Sequence, residues 1–151
     1  MRHVSRRDAI ALGAGGAALA VVGWPGLGLA DAKMAAEEIA KFTGGKAAEK
    51  GKISIELPEI AENGNTVPVS VSVESAMSGD DMVQSVIILA EGNPNPAVAT
   101  FNFTAMSGAA EATTRMRLAK TQNVIAVARM ADGSVYMDKK EVKVTIGGCG
   151  G

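Results

Sequence analysis

Alternation of apolar and polar residues dominates the chain from residue 53 onward. Val67–Val73 has a valine at every odd position, and Ile53–Leu57 alternates in the same way. A period of two places successive side chains on opposite faces of a strand, so each segment predicts a half-buried β-strand. The uninterrupted apolar run in Ser85–Ala90 predicts a more central strand. Further strands are predicted at Phe101–Phe103, Arg115–Leu118 and Asn123–Met130.

The last strand-like segment, Ser134–Ile146, contains two alternating pieces that are out of phase. The apolar residues of its first half, Val135 and Met137, have odd numbers, whereas those of its second half, from Val142 to Ile146, have even numbers. One extra residue within Asp138–Glu141 would bring both sets to one face of the sheet. We therefore expect a β-bulge at that point.

A helical pattern precedes the strands. Asp31–Thr43 carries Met34, Ile39 and Phe42 near one face, and the pair Gly44-Gly45 ends it. We expect this short helix to pack against the body of the domain.

Turn signals separate the strands about every ten residues. The sequence "NPNP" at 93–96 predicts a turn, and Asp132-Gly133 predicts a β-hairpin. Together these patterns predict an all-β fold, an immunoglobulin-like antiparallel β-sandwich of about seven strands with a short N-terminal helix. The expected domain covers residues 31–146, and residues 147–151 form a flexible C-terminal Gly-Gly-Cys-Gly-Gly arm.

The first thirty residues resemble a twin-arginine (Tat) export signal. Arg6 and Arg7 follow Ser5, an uncharged Ala/Gly/Leu/Val stretch comes next, and small residues lead up to a cleavage site between Ala30 and Asp31. Two positions depart from the usual Tat pattern, because alanines stand where an aromatic residue and a lysine are common. The alternative is an uncleaved N-terminal membrane helix, although the glycine-broken run is short for one. The resemblance implies export by the Tat pathway to the periplasm and a signal peptide at residues 1–30.

Loss of the leader changes the chemistry that the chain can perform. The counts fall from 15 basic and 16 acidic residues to 12 and 15, and no dense basic patch suggests nucleic-acid binding. His3, the only histidine, leaves as well. A Ser-His-Asp or Cys-His catalytic arrangement and a histidine-ligated metal or haem are therefore excluded within the mature chain. We expect no catalytic residues, no metal site and no cofactor.

Cys149 is the only cysteine, and glycines surround it. An exported chain with one cysteine cannot form an internal disulfide, so the thiol is reactive or pairs with another molecule. Three residues past Ile146 extend about 10 Å, and glycines keep that thread narrow and conformationally free. The thiolate is the reactive form, and the nearest cation in sequence, Lys143, lies back on the strand. We expect the thiol to be activated when it enters a partner. The arm consists of Gly147, Gly148, Cys149, Gly150 and Gly151.

Several simpler explanations of the arm remain open. A glycine tail is often a disordered terminus. A cysteine near the C-terminus can be prenylated, but that motif places it fourth from the end and Cys149 is third. Cys149 could also form an interchain disulfide.

The ending "VYMDKKEVKVTIGGCGG", Val135 to Gly151, resembles the C-terminus of the SoxY family. The Gly-Gly-Cys-Gly-Gly motif matches residue by residue at 147–151, and the Tat-like leader, the length and the predicted sandwich agree. The resemblance implies a non-enzymatic sulfur carrier of the periplasmic thiosulfate-oxidising (Sox) system. Cys149 would be the covalent attachment point, bearing thiosulfonate or persulfide adducts.

The resemblance also implies partners. It suggests a heterodimer with SoxZ and transient docking to the cytochrome complex SoxXA, to SoxB and to a sulfur dehydrogenase. It implies no nucleic-acid partner and no stable membrane anchor. Two alternatives stay open at this stage: an exported thiol oxidoreductase that uses Cys149, and a non-catalytic β-sandwich interaction module.

Overall fold

The computed structural model describes residues 26–149, with side chains from Asp31 onward. Within these residues one α-helix, α1, spans Gly26–Thr43 and precedes eight strands, and two short 3-10 helices lie at Gly79–Asp81 and Ala105–Ser107. The strands are β1 (Ile53–Glu56), β2 (Ile60–Asn63), β3 (Val67–Val73), β4 (Val83–Ala90), β5 (Ala97–Asn102), β6 (Ala110–Met116), β7 (Gln122–Met130) and β8 (Val135–Ile146).

The strands form two sheets, as the predicted immunoglobulin-like β-sandwich requires. One sheet has the order β1-β3-β6 and the other the order β2-β8-β7-β4-β5. Neighbouring strands are antiparallel except β2 and β8, which pair in parallel. β2 is the strand that the sequence pattern does not reveal. It has four residues, of which only Ala61 is buried, so no alternation is long enough to be seen.

The apolar residues of the alternating segments fill the interior between the two sheets. All four valines of β3 are at most 6% exposed. β4 and β7 contribute their even-numbered residues to the same interior, among them Ile88 and Val124. The half-buried strands at Ile53–Leu57 and Val67–Val73 and the central strand at Ser85–Ala90 are therefore confirmed. The strands predicted at Phe101–Phe103 and Arg115–Leu118 are shifted, because β5 and β6 begin earlier, at Ala97 and Ala110.

β4 and β7 are buried on their other face as well. Four of their odd-numbered residues belong to a second apolar cluster, against which Ile39 and Phe42 of α1 pack. This is why both strands are continuously apolar, since each one lies between the sandwich interior and the helix. The strand residues of this second cluster are Ile87, Leu89, Ile125, Val127 and Val135.

The predicted bulge in β8 is wrong. β8 pairs with β7 without interruption from Val135 opposite Arg129 to Val142 opposite Gln122. The two halves of the strand instead bury opposite faces. Val135 and Met137 lie in the cluster under α1, whereas Val142 lies in the sandwich interior. The change of phase therefore marks where one apolar layer ends and the other begins.

Turn residues act as predicted at both ends of the domain. Gly44 and Gly45 have φ angles of 66° and 82°, and the Gly45 amide donates to the Ala40 carbonyl (3.0 Å), which ends α1. Gly133, with φ 84°, closes the β7–β8 hairpin, where its amide donates to the Met130 carbonyl (3.0 Å). Both predictions are confirmed.

The helix begins earlier than predicted. It starts at Gly26 rather than Asp31, so Ala30 and Asp31 both lie inside it. Cleavage between them, which stays a prediction, would leave Asp31–Thr43 as the helix of the processed chain. Within residues 26–149, no helix combines the length and the apolar character that crossing a bilayer demands.

Candidate functional site

Cys149 lies just beyond the end of β8, and its side chain is exposed. Three residues follow the strand before the described chain ends, and we call Gly147–Cys149 the arm base. Of the other residues singled out in the sequence, Arg6, Arg7, Gly150 and Gly151 lie outside the described residues.

Two loops hold the arm base against the body of the sandwich. We call these loops, Gly64–Asn65 and Arg117–Ala119, the arm cradle. The Gly148 amide donates to the Leu118 carbonyl (2.9 Å), and the Cys149 amide donates to Asn65 Oδ1 (3.2 Å). The Leu118 amide in turn donates to the Gly64 carbonyl (2.8 Å), which joins the two loops. The backbone of the arm base is therefore positioned up to Cys149 itself.

Close backbone contact explains why glycines precede the cysteine. A Cβ atom on Gly148 would stand 2.6 Å from the Gly64 carbonyl oxygen, and one on Gly147 would overlap the Ala119 carbonyl oxygen. Gly64 faces the same limit, because its own Cβ would overlap the Leu118 carbonyl oxygen. Any larger residue at these positions would force the arm base out of the arm cradle. Gly147 and Gly148 thus allow close packing, a role in addition to the predicted reach and mobility.

Two buried amide side chains support the arm cradle from behind. Asn93 and Gln122 are 3% and 6% exposed. Asn93 Oδ1 accepts from the Ala119 amide (3.0 Å) and from Gln122 Nε2 (2.8 Å). Asn93 Nδ2 donates to the Arg117 carbonyl (2.8 Å), so one side chain fixes both ends of the Arg117–Ala119 loop. Buried amides bonded in this way hold a loop in one conformation.

Asn65, Asn93 and Gln122 belong to the site but are not evident in the sequence. The "NPNP" stretch predicts a turn at Asn93 and says nothing of the burial of its side chain. Its partners lie 24 to 29 residues away along the chain, and no local pattern marks them.

A cation also lies closer to Cys149 than the sequence order suggests. Lys143 is nearest in sequence, but the structure places Arg117 Nη1 3.5 Å from the Cys149 carbonyl oxygen. Arg117 comes from the loop after β6, and the parallel course of β2 beside β8 brings the arm base next to that loop.

Metal-binding residues do not gather around this site or elsewhere in the part of the chain that is described. Over residues 26–149, no three His, Cys, Asp or Glu side chains come together in an arrangement that could hold a metal ion.

Comparison with known proteins gives a family match over most of the chain. The model of the family described as "Sulfur oxidation protein SoxY" matches residues 39–149, so the match ends at the cysteine. A search of the curated proteins found no match.

Solved structures agree with the family match. The sulfur carrier protein SoxY from Chlorobium limicola f thiosulfatophilum is similar, with 33% identity and a TM-score of 0.64, over 76% of this chain and 94% of that one. A superoxide reductase (neelaredoxin) from Ignicoccus hospitalis has 22% identity and a TM-score of 0.53, over 62% of this chain and 80% of that one. At that level of identity the likeness concerns the fold alone. The family match and the SoxY structure together establish that the chain belongs to the SoxY family.

Proposed function

We propose that this protein is a covalent carrier of sulfur intermediates in periplasmic thiosulfate oxidation, with Cys149 as the attachment point. One observation supports the proposal above the others. The only cysteine of the chain is exposed at the end of a glycine-rich arm base, and it is the last residue that the family match covers. The related SoxY structure from Chlorobium limicola is itself called a sulfur carrier protein.

The attachment chemistry is oxidative and needs a partner. The Cys149 thiol and thiosulfate form an S–S bond with the loss of one proton and two electrons, and SoxXA, a cytochrome complex, accepts the electrons. Hydrolysis by SoxB then adds water to the terminal sulfone, releases sulfate and leaves a persulfide on Cys149. A sulfur dehydrogenase oxidises that remaining sulfane sulfur. The carrier itself supplies the thiol and the reach, and it works as a heterodimer with SoxZ.

The export signal explains where this chemistry takes place. Arg6 and Arg7 direct the precursor to the Tat pathway, and cleavage after Ala30 leaves Asp31 as the first residue in the periplasm. Replacing both arginines by lysine keeps the charge but changes the recognition motif. The expected result is a precursor retained in the cytoplasm, and N-terminal sequencing of the wild-type periplasmic protein should begin at Asp31.

A Cys149→Ser variant tests the carrier role. It should abolish thiosulfate-dependent electron transfer by the reconstituted Sox components, because serine cannot form the S–S bond. Its thermal unfolding should match that of the wild type, since the side chain is exposed. Intact mass of protein from thiosulfate-grown cells should show thiosulfonate or polysulfane adducts that the variant lacks.

Full retained activity in the serine variant would rule out the carrier role. Insulin reduction by the purified protein alone would instead favour a thiol oxidoreductase. A simple interaction module would be favoured if the serine variant kept its thiosulfate-dependent activity and its partner binding, and if the purified protein did not reduce insulin.

A further inference from the structure

Two arginines line one cavity beside the arm base. The cavity has a volume of about 330 Å³, and Arg115 and Arg117 form part of its wall together with Asn93 and Asn95. Arg115 belongs to β6 and Arg117 follows the strand directly, and both are exposed whereas Met116 between them is buried. The cavity wall therefore includes two arginines and two asparagines.

Both guanidinium groups keep most of their hydrogen-bonding capacity. The three ion pairs found among residues 31–149 all involve lysines, namely Lys41, Lys52 and Lys120. Arg117 makes one long contact, to the Cys149 carbonyl oxygen at 3.5 Å. A guanidinium has five N–H donors, so this contact leaves most of them available to a ligand.

The position of Arg117 links the cavity to the carrier thiol. Arg117 lines the cavity, and its guanidinium contacts the backbone of Cys149. A thiosulfonate adduct lengthens the cysteine side chain by only two S–S bonds of about 2 Å each. The terminal sulfonate of such an adduct therefore remains within reach of a guanidinium that already contacts the same residue.

The chemistry of the two groups is complementary. A sulfonate carries three acceptor oxygens and a negative charge, and the planar fork of arginine binds oxyanions through two parallel N–H donors. A lysine ammonium would offer only a point charge.

We propose that Arg117, with Arg115 beside it, forms an anion site that holds the sulfonate end of the cargo on Cys149 while the arm base lies in the arm cradle. This inference rests on the proposed carrier function and names the residues that recognise its anionic intermediates. Arg117 is the primary contact and Arg115 extends the positive surface of the cavity wall. The site favours thiosulfate-derived adducts over uncharged ones.

The test compares an anionic and a neutral thiol reagent on the purified protein, without partners. Tetrathionate is the anionic reagent. The Cys149 thiolate attacks one of the two inner sulfurs of tetrathionate and forms an S–S bond with it. The central S–S bond of tetrathionate breaks, and thiosulfate leaves with the electron pair. Cys149 is thereby oxidised to the thiosulfonate adduct and tetrathionate is reduced. Iodoacetamide is the neutral reagent, and it reports the general reactivity and accessibility of the thiol.

An Arg117→Gln variant should react about three- to tenfold more slowly with tetrathionate at low ionic strength, while its iodoacetamide rate stays near the wild-type value. Salt should reduce the wild-type preference for tetrathionate. Arg117→Lys should recover part of the rate because it keeps the charge. Lys140→Gln is the matched control, since it removes one exposed positive charge from β8 and should leave both rates unchanged.

Three results would overturn the inference. An equal fall for both reagents would mean that Arg117 only positions the arm base. An unchanged tetrathionate rate would mean that no anion site exists, and an equal loss in Lys140→Gln would assign the effect to net charge. The carrier function is judged separately by Cys149→Ser in the reconstituted system, so either conclusion can fail without the other.

Discussion

At the scale of single residues, the arm base fits its place because Gly147 and Gly148 have no Cβ atom. Gly148 is buried, and its amide bonds to Leu118 while its Cα faces the Gly64 carbonyl. The same residue therefore contributes a hydrogen bond and permits the approach that the bond requires. Close packing at Gly147 and Gly148 is what the structure shows of the arm, and its mobility stays a prediction.

Gly148→Ala should release the arm base from the arm cradle. The new Cβ would stand 2.6 Å from the Gly64 carbonyl oxygen, closer than real Cβ contacts come, and backbone atoms cannot easily move away. In this variant we expect the amide of residue 148 to lose its protection from hydrogen exchange. We expect the free energy of unfolding to fall by about 0.5–1.5 kcal/mol. Exchange measured by NMR checks this.

Gly64→Ala introduces the same overlap from the opposite side and should reproduce the effect. Protection of the residue 148 amide at the wild-type level in both variants would contradict the proposed packing role.

Asn93→Ala should destabilise the protein through the Arg117–Ala119 loop. The substitution leaves the Arg117 carbonyl, the Ala119 amide and Gln122 Nε2 without the partner they share. Unpaired buried polar groups cost about 1–3 kcal/mol each, and partial access to water softens the sum, so we expect a loss of about 2–4 kcal/mol. Urea unfolding measures it.

Asn95→Ala is the matched control, because Asn95 is exposed in the same turn. It should change the free energy of unfolding by less than about 0.5 kcal/mol. Equal losses in the two variants would show that the turn itself, rather than the buried amide network, is sensitive.

At the scale of elements, α1 is bound to the sandwich by a narrow stripe. Ala35, Ile39, Phe42 and Thr43 are buried or half-buried, and they recur at helical spacing. Met34, which the sequence placed on this face, is 38% exposed and lies at its margin. The stripe covers the outer face of β4 and β7, whose odd-numbered residues would otherwise be exposed.

Phe42→Ala should loosen α1 without disturbing the sandwich interior. The ring packs on the outer cluster of the five-stranded sheet, and the Arg129 guanidinium lies 5.3 Å from its centroid. Because Phe42 is only half-buried, we expect a loss of about 1–2 kcal/mol, below the usual cost at a full core position. Denaturant unfolding, with binding of a dye that reports exposed apolar surface, measures both consequences.

Lys33→Ala, on the exposed side of the same helix, is the control and should change neither reading. An unchanged free energy of unfolding in Phe42→Ala would show that α1 contributes little to the stability of the domain.

At the scale of the whole molecule, the fold isolates one reactive group at its end. Two sheets bury a continuous interior, and the only cysteine of the chain remains exposed where β8 ends. The chain therefore presents a single thiol, and every modification of a thiol must occur there.

Mild oxidation of the unloaded protein should yield covalent dimers through Cys149. Cys149 is exposed and the chain has no second cysteine, so its thiol can form a disulfide only with another molecule. Non-reducing electrophoresis should show one band at twice the monomer mass, which a thiol reductant removes. Dimers that persist in Cys149→Ser, or a wild-type protein that stays monomeric under oxidant, would contradict the accessibility of the thiol.

Most of the fold can be predicted from the sequence, because the burial of side chains leaves a local pattern of apolar residues. Three local patterns predicted elements that the structure confirms. They are the period of two in Val67–Val73, the apolar run that ends at Ala90 and the Asp132-Gly133 turn. β2 could not be predicted, because its four residues lie at a sheet edge with one buried side chain and show no alternation. The phase change in β8 was visible, but its cause was not, since the sequence does not say which layer covers each face.

The sequence by itself determined that this chain has one thiol, that the thiol stands among glycines, and that a β-sandwich precedes it. Tertiary structure alone decided what surrounds that thiol. Asn65 and Arg117 contact the arm base from loops that are far apart in sequence, and Asn93 supports the Arg117–Ala119 loop from a third segment. Their meeting depends on how the β-strands pair across long separations. Local periodicity reports whether a side chain is buried, whereas the neighbours of a backbone are set by long-range strand pairing.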